Sequence, residues 1–319
     1  MPSLLITGGA GFIGSNFAKT SINRGWTVRI LDNFSTGLQS IADELELKGV
    51  DVHIGDIRDE SLLDKAMEGC DAVVHLAAQV SVPFSVSNPQ ETMSINVDGT
   101  AKVLDACIRH GVERMVMASS AAVYGEADNL PLKEEDAGRV LSPYAQSKWE
   151  NETHISDARE KGLRATALRF FNVYGTGQRP DGAYAAVIPK FADMMAQGIV
   201  PQINGDGLHT RDFVHVHDVC EAIYSLIEGD WESDKFHVYN VATQSKITML
   251  ELVEVINTSL SSLLPGYIHI SPTHGPERVG DIRHSMASIE RIQGTLDWSP
   301  KVGFEEGIKG LVQERLSLK

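Results

Sequence analysis

Cysteine is scarce in this sequence. Its three copies, Cys70, Cys107 and Cys220, lie far apart and are odd in number. Neither a disulfide framework nor a zinc-ligand spacing can be read from them, which points to a reducing compartment such as the cytoplasm. No apolar run approaches the length of a membrane-spanning helix. The N-terminal MPSLLITGGAGFIG has no basic segment ahead of its apolar run, and glycines soon break that run, so it does not read as a signal peptide. Positive charge is also in short supply. Lys and Arg number 28 against 43 Asp and Glu, a formal charge of −15. That balance argues against nucleic acid or an anionic membrane as partner. It leaves small anionic ligands open, because a few local arginines suffice to hold them. Low-complexity segments and fixed-period repeats are lacking as well.

What is present is an ordinary globular composition, 42% hydrophobic and 22% charged over 319 residues, enough for two unequal lobes. Up to about residue 170, short apolar runs alternate with helical patterns. The runs at 3–7, 27–31, 50–54, 72–76, 114–118 and 164–168 read as strands. The patterns at 12–24, 61–68, 90–110 and 143–161 read as helices. Strict β/α alternation with short connections implies a doubly wound α/β fold, a parallel sheet with helices on both faces. The runs are continuous rather than alternating, as strands buried on both sides require. Beyond residue 170 the rhythm loosens, with Gly, Pro and Asp clustered at 175–182 and 271–280. Helices are expected at 183–197, 217–228, 249–260 and 305–316, and strands at 213–216, 236–241 and 267–270.

The strongest local signal is Gly8-Gly9-Ala10-Gly11-Phe12-Ile13-Gly14, between the first strand and the first helix. Glycine there lets the backbone turn tightly and approach a pyrophosphate, while the helix N-terminus offers free N–H groups. Asp32 closes the second strand. A carboxylate at that place accepts hydrogen bonds from the adenosine ribose and repels a 2′-phosphate. Asn33, Ser35, Thr36 and Gly37 follow without an arginine, so NAD is expected rather than NADP. Asp56 and Ile57 are expected at the adenine. The small-residue exit Leu76-Ala77-Ala78 lets the cofactor lie across the strand tips. The division expected is a Rossmann NAD-binding domain at 1–170, joined by strands from about 212–241, and a smaller mixed α/β substrate-binding lobe at 171–319.

Tyr144 and Lys148 stand four residues apart at the start of a helix, so both project from one face. Tyrosine is a poor base with its ordinary pKa of about 10. A nearby ammonium favours the phenolate, as does the positive ring of an oxidised nicotinamide. Ser119 and Ser120 end the fifth strand at the edge where doubly wound sheets bind ligands. Ser120, Tyr144 and Lys148 thus supply the hydroxyl, the base and the tuning cation of an alcohol oxidation.

Ten segments carry a family resemblance, in order along nearly the whole chain. They are GGAGFIG (8–14), LDNFSTG (31–37), GDIRD (55–59), HLAAQ (75–79), NVDGT (96–100), SSAAVYG (119–125), SPYAQSK (142–148), RFFNVYG (169–175), RDFVHV (211–216) and GPERVGD (275–281). The chain resembles the extended short-chain dehydrogenase/reductase family, and within it the NAD-dependent nucleotide-sugar epimerases. The resemblance implies Tyr144 as base and acid, Lys148 as its tuner and a ribose contact, and Ser120 as partner of the sugar oxygen. It adds Phe170 and Val173 to the surroundings of the NAD. Relatives that dehydrate nucleotide sugars carry an Asp-Glu pair directly before Val-Tyr-Gly, and decarboxylating relatives usually keep the Glu. Here that place holds Ala121-Ala122, which cannot move a proton. What remains is oxidation and re-reduction at one carbon, C4 of a UDP-sugar.

The resemblance also places Asn172, Arg211 and Arg278 around the diphosphate, in keeping with the bidentate pairing of guanidinium and phosphate. Ala186, Val187, Gln202 and Asn204 fall near the uridine. In the family the chain resembles, the residue seven positions after the arginine matched by Arg278 is a gate beside C2 of the sugar, and here that residue is Ser285. An aromatic residue there suits UDP-glucose and UDP-galactose, and a small one leaves room for an N-acetyl group. The expectation is therefore an isomerase most like UDP-N-acetylglucosamine 4-epimerases, with no metal. UDP-glucose/UDP-galactose or UDP-glucuronate 4-epimerases are the alternatives. A non-catalytic NAD-binding scaffold is a third, and the intact Ser-Tyr-Lys set opposes it. A homodimer through a four-helix interface, from the helices near 90–110 and 143–161, is implied too.

Overall fold

Continuous apolar strands need cover on both faces, and the chain supplies it. A computed structural model describes residues 1–126, 129–181, 186–229, 236–277 and 282–317. Six strands alternate with helices: β1 (Ser3–Thr7), β2 (Thr27–Asp32), β3 (Asp51–Ile54), β4 (Ala72–His75), β5 (Arg114–Ser120) and β6 (Arg164–Phe170). Short strands follow: β7 (Asn172–Tyr174), β8 (Gln202–Asn204), β9 (Thr210–Arg211) and β10 (Phe213–His215). After them come β11 (Val238–Val241), β12 (Ile247–Thr248) and β13 (Thr273–Gly275). The main sheet has seven strands in the order β11-β6-β5-β4-β1-β2-β3, and every pairing in it is parallel. The doubly wound Rossmann fold expected from the sequence is the fold observed.

One face of the sheet packs on the helices Phe12–Asn23 and Val216–Ile227, through Phe17, Ala18, Cys220 and Ile223. The other packs on Glu60–Met67, Gly99–His110 and Pro143–Glu160, through Leu63, Cys107 and Ile155. A third core sits between the helices Val187–Ala196, Met249–Leu263 and Phe304–Ser317. All three cysteines are buried and free. No helix among the described residues is long and apolar enough to cross a membrane.

Several expectations need correction. The pattern at 90–110 is not one regular helix: Pro89–Met93 and Gly99–His110 are joined by a π turn at Ser94–Asp98. The Asn96 carbonyl there accepts from Thr100 Oγ1 at 2.5 Å and from Asn151 Nδ2 at 2.9 Å, and such competition displaces the regular helical bond. No strand forms at 267–270. The side chain of Asn257 takes the Ile270 N–H at 3.0 Å and donates to its carbonyl at 3.1 Å, doing the work of a strand neighbour. Residues 183–185 of the helix expected at 183–197 lie outside the described residues. Three short helices had no clear sequence signal: Gln39–Glu46, Val82–Ser87 and Glu290–Leu296.

One carboxylate joins distant segments beside the sheet edge. Asp212, fully buried between β9 and β10, accepts from Thr243 N at 2.8 Å, Thr243 Oγ1 at 2.7 Å, Gln244 N at 3.0 Å and Ala287 N at 3.2 Å. Burial lifts its pKa, and these donors pull it back in part. Replacing Asp212 with Ala strands several buried donors, and a loss on the order of 3 kcal/mol is expected. Urea unfolding of the variant reads this directly. An unchanged unfolding midpoint would deny Asp212 this joining role.

Candidate active site

The strand exits meet at one edge, and the glycine loop fixes how closely they meet. Gly8 has φ +71°, and a Cβ on it would come within 2.7 Å of the Ala77 nitrogen and 2.9 Å of the Leu76 carbonyl carbon. A Cβ on Gly14 would run into the Gly8 carbonyl oxygen. Gly11 stands at the N-cap of the helix, with Phe12 and Ile13 in its first turn, and no side chain caps it. The backbone donors of that turn are left for a ligand. Leu76, Ala77 and Ala78 form the loop after β4, against Gly8.

Asp32 is buried at the end of β2. Its carboxylate accepts the Ala10 N–H at 2.9 Å and the Phe34 N–H at 2.8 Å. Each oxygen keeps a further acceptor site. Gly37 lies against it, where a Cβ would sit 2.9 Å from Oδ1. Asn33 takes the Ser35 N–H on its own Oδ1 and donates to Asp56 at 3.2 Å. Ser35 and Thr36 are exposed. Asp56 is paired with Arg58 at 2.9 Å, which holds its carboxyl below the usual range. Ile57 is buried beside it. A cradle that any methyl would fill, an uncapped helix and a fixed carboxylate together fit a dinucleotide.

Ser142 caps the long helix Pro143–Glu160 by accepting the Ala145 N–H at 3.1 Å, so Tyr144 falls in its first turn and Lys148 one turn on. Ser120 ends β5 and caps a 3₁₀ turn, Ala121–Tyr124, accepting the Ala122 N–H at 3.1 Å. Desolvation raises the Tyr144 pKa, and the nearby Ser120 hydroxyl works against it. Lys148 is buried and donates to the Ala118 carbonyl at 2.8 Å. Burial pulls its pKa down to about 8, with the charge of Glu152 opposing the fall. Its ammonium therefore remains the main form at neutral pH. The structure brings the three residues together at the edge.

Behind them lies a polar layer that the sequence did not announce. His75 ends β4, with Nδ1 at 2.7 Å from Thr7 Oγ1 and Nε2 at 2.9 Å from Thr100 Oγ1. Burial, and then the Lys148 charge, depress its pKa to about 3. The side chain of Asn96, in the π turn, accepts the Gln79 N–H at 2.8 Å and donates to Ser147 Oγ at 2.9 Å. The run of small polar residues in NVDGT was the available signal.

In the second half of the chain, the segment at 283–285 lies alongside β9. The Thr210 N–H donates to the Arg283 carbonyl at 2.9 Å, and the Ser285 N–H to the Thr210 carbonyl at 3.2 Å. Arg211 and Ser285 are thereby neighbours, and Arg211 donates to the Thr210 carbonyl at 2.9 Å. Gln202 and Asn204 are exposed on β8, whose following turn is tied to the same segment by the Asp206–Arg283 ion pair at 2.5 Å. Ala186 is the N-cap of the helix Val187–Ala196. Asn172 and Val173 lie on β7, and Phe170 is in register with Ser120. Arg278 lies outside the described residues. Among the described residues no group of His, Cys, Asp or Glu could hold a metal ion.

Residues 4–242 match the NAD dependent epimerase/dehydratase family. The chain is 36% identical to a putative UDP-glucose 4-epimerase of Methanocaldococcus jannaschii, over 97% of each chain. It is similar to the solved UDP-N-acetylglucosamine 4-epimerase of Methanobrevibacter ruminantium in complex with UDP-N-acetylmuramic acid. That structure has TM-score 0.91 and 34% identity, covering 100% of this chain and 99% of the other. The UDP-glucose 4-epimerase of Thermotoga maritima, solved with UDP-glucose, has TM-score 0.90 and 32% identity, covering 99% of this chain and 100% of that one. The protein belongs to the NAD-dependent epimerase/dehydratase family. It is an NAD-dependent enzyme of the extended short-chain dehydrogenase/reductase type.

The buried histidine gives the fold a pH dependence. The His75 pKa lies at about 3 in the folded chain, below its ordinary 6.5. The unfolded chain therefore takes the proton first, and stability is lost as pH falls below that ordinary value. Between pH 7 and pH 5 the loss from this one group should be about 2 kcal/mol. Denaturant unfolding of the wild type and His75→Gln at both pH values tests it. The variant should be weaker overall but should lose less on acidification, and equal losses would contradict the assignment.

Proposed function

We propose that the sugar nucleotide inverted here is UDP-N-acetylglucosamine, giving UDP-N-acetylgalactosamine. The enzyme as a class is an NAD-dependent UDP-sugar 4-epimerase, an isomerase. The observation that carries the choice of sugar is Ser285, a small side chain held beside Arg211 through the Thr210 backbone. A hydroxymethyl group there leaves space that an aromatic ring would fill.

In this reading Tyr144 takes the proton of the C4 hydroxyl while Ser120 hydrogen-bonds the same oxygen. The Lys148 ammonium stabilises the phenolate and contacts the ribose. When bound, NAD supplies the acceptor and then the donor of the C4 hydride. Once the 4-keto sugar presents its opposite face, Tyr144 would return the proton to the C4 oxygen. Nothing is gained or lost overall, since substrate and product are isomers. Gly8, Gly11 and Gly14, with the backbone of Phe12 and Ile13, hold the pyrophosphate. Asp32 takes the adenosine ribose, with Asn33, Ser35, Thr36 and Gly37 around it. Asp56 and Ile57 flank the adenine, and Leu76, Ala77, Ala78, Phe170 and Val173 line the nicotinamide side. Asn172, Arg211 and Arg278 pair with the diphosphate, while Ala186, Val187, Gln202 and Asn204 surround the uridine. The homodimer implied by the resemblance, paired through the helices near 90–110 and 143–161, belongs to the same proposal. A second reading, UDP-glucose and UDP-galactose, is favoured by the likeness to the Thermotoga maritima enzyme.

Proton NMR of C4 inversion separates the two when the purified protein is given each UDP-sugar in turn. The acetylated pair should show the higher kcat/KM. Ser285→Tyr should then fill the space beside C2. Overpacking costs about 1–3 kcal/mol, roughly a tenfold to hundredfold loss in kcat/KM for acetylated substrates. The unacetylated pair should be affected much less. Parallel loss on both pairs would remove Ser285 from the C2 pocket.

A further inference from the structure

A chain of buried charged and polar groups runs beneath the catalytic residues, and no step of the reaction uses it. Glu152, one turn beyond Lys148 on the same helix, is buried and forms a bidentate pair with Arg169 of β6. The contacts are Nε to Oε1 at 2.9 Å and Nη2 to Oε2 at 2.7 Å, with the two side chains 5% and 3% exposed. Ser119, the immediate neighbour of Ser120, donates to Glu152 Oε1 at 2.6 Å. Ser119 and Arg169 sit side by side in the β5–β6 register. Arg169 also donates to the Tyr124 hydroxyl at 2.9 Å and to the Glu134 carbonyl at 2.7 Å. Tyr124 in turn donates to Asn240 Oδ1 at 2.6 Å, and Asn240 donates to the Leu132 and Ser288 carbonyls at 3.1 Å each.

Burying two full charges is costly even when they are paired, and a buried ion pair is weak evidence for stability. Its place suggests another use. One end grips the residue beside Ser120, and the carboxylate lies one turn from Lys148. We propose that the Glu152–Arg169 pair is a positioning device for the reaction, which fixes Ser120 through Ser119 and holds Lys148 in its ammonium form. This rests on the reading that Ser120, Tyr144 and Lys148 carry the chemistry.

Among the described residues, few groups act electrostatically on Lys148. Tyr144 and Glu152 share its helix, the neutral His75 faces it from β4, and the Ala118 carbonyl of β5 accepts from it. Arg169 lies behind Glu152, and Tyr124 and Glu134 lie behind Arg169. Glu152 is thus the negative charge that opposes the desolvation of Lys148. Removing it leaves the ammonium with burial and an unpaired Arg169, and both favour loss of the proton.

Glu152→Gln keeps the shape and removes the charge. Two quantities read the result: the alkaline limb of the kcat–pH profile, and the titration of Lys148 followed by NMR in protein with ¹³C-labelled lysine. The Lys148 signal is identified by its absence in Lys148→Met. In Glu152→Gln both should move to lower pH, by about one unit. Glu152→Asp should bring them back toward the wild type. The double variant Glu152→Gln/Arg169→Met, which removes both charges, should shift them less than Glu152→Gln alone. Ser119→Ala should lower kcat about tenfold without moving the Lys148 titration, because it releases Ser120 and leaves the charges in place. A Lys148 titration unmoved in Glu152→Gln, or an unchanged kcat in Ser119→Ala, overturns the proposal. The NMR titration needs no turnover, so an error in the assigned reaction would appear as a shifted Lys148 titration without a matching shift in kcat. Should Arg169→Met prevent folding of the double variant, the Gln and Asp variants and Ser119→Ala still decide the outcome.

Discussion

The backbone of Gly8 lies so close to that of Leu76 and Ala77 that one added methyl would not fit between them. This close approach sets the geometry of the whole edge. It lets the exits of β1 and β4 lie side by side in the centre of the sheet, where the strand order turns from β2 and β3 on one side to β5 and β6 on the other. Ligands of doubly wound sheets bind at such a switch point. The helix Phe12–Asn23 then points its uncapped N-terminus at the crevice, with Asp32 fixed one strand away.

On the other side of the crevice the physical problem is charge. Lys148 is buried one turn beyond Tyr144, and burial works against its proton. The chain answers with acceptors and compensating charges placed in depth: the Ala118 carbonyl, the Glu152 carboxylate and then Arg169, which neutralises Glu152 in turn. His75 contributes by staying neutral between Thr7 and Thr100. The same polar chain reaches Leu132 and Ser288, close to the segment that carries Ser285. Asp212 anchors that region again through Ala287. The sheet edge that carries Ser120 and the segment that carries Ser285 therefore share buried supports.

Much of this was legible in the sequence because it is local. A glycine loop between strand and helix, a Tyr and a Lys one turn apart, and continuous apolar runs each carry their own pattern. The supports are long-range and carry none. Glu152 reads as one more charge on a polar helix, and Asp212 as one more loop acid. Arg169 offered a better clue, since a charge near the end of the apolar strand RATALRF must find a buried partner. The π turn at Ser94–Asp98 escaped for a related reason, because Asn151 from another helix helps to hold it. The strand expected at 267–270 failed since a single side chain, Asn257, satisfied the backbone first.

The central claim is that the C4 hydrogen leaves as hydride, stays within the enzyme and returns to the opposite face. UDP-N-acetylglucosamine carrying deuterium at C4, turned over in ordinary water, tests it most directly. Mass spectrometry and NMR of the product should find the deuterium retained at C4 of UDP-N-acetylgalactosamine. Loss of the label to solvent would mean that the C4 hydrogen leaves as a proton, and would contradict the assignment of Ser120, Tyr144 and Lys148 to a hydride-transfer epimerisation.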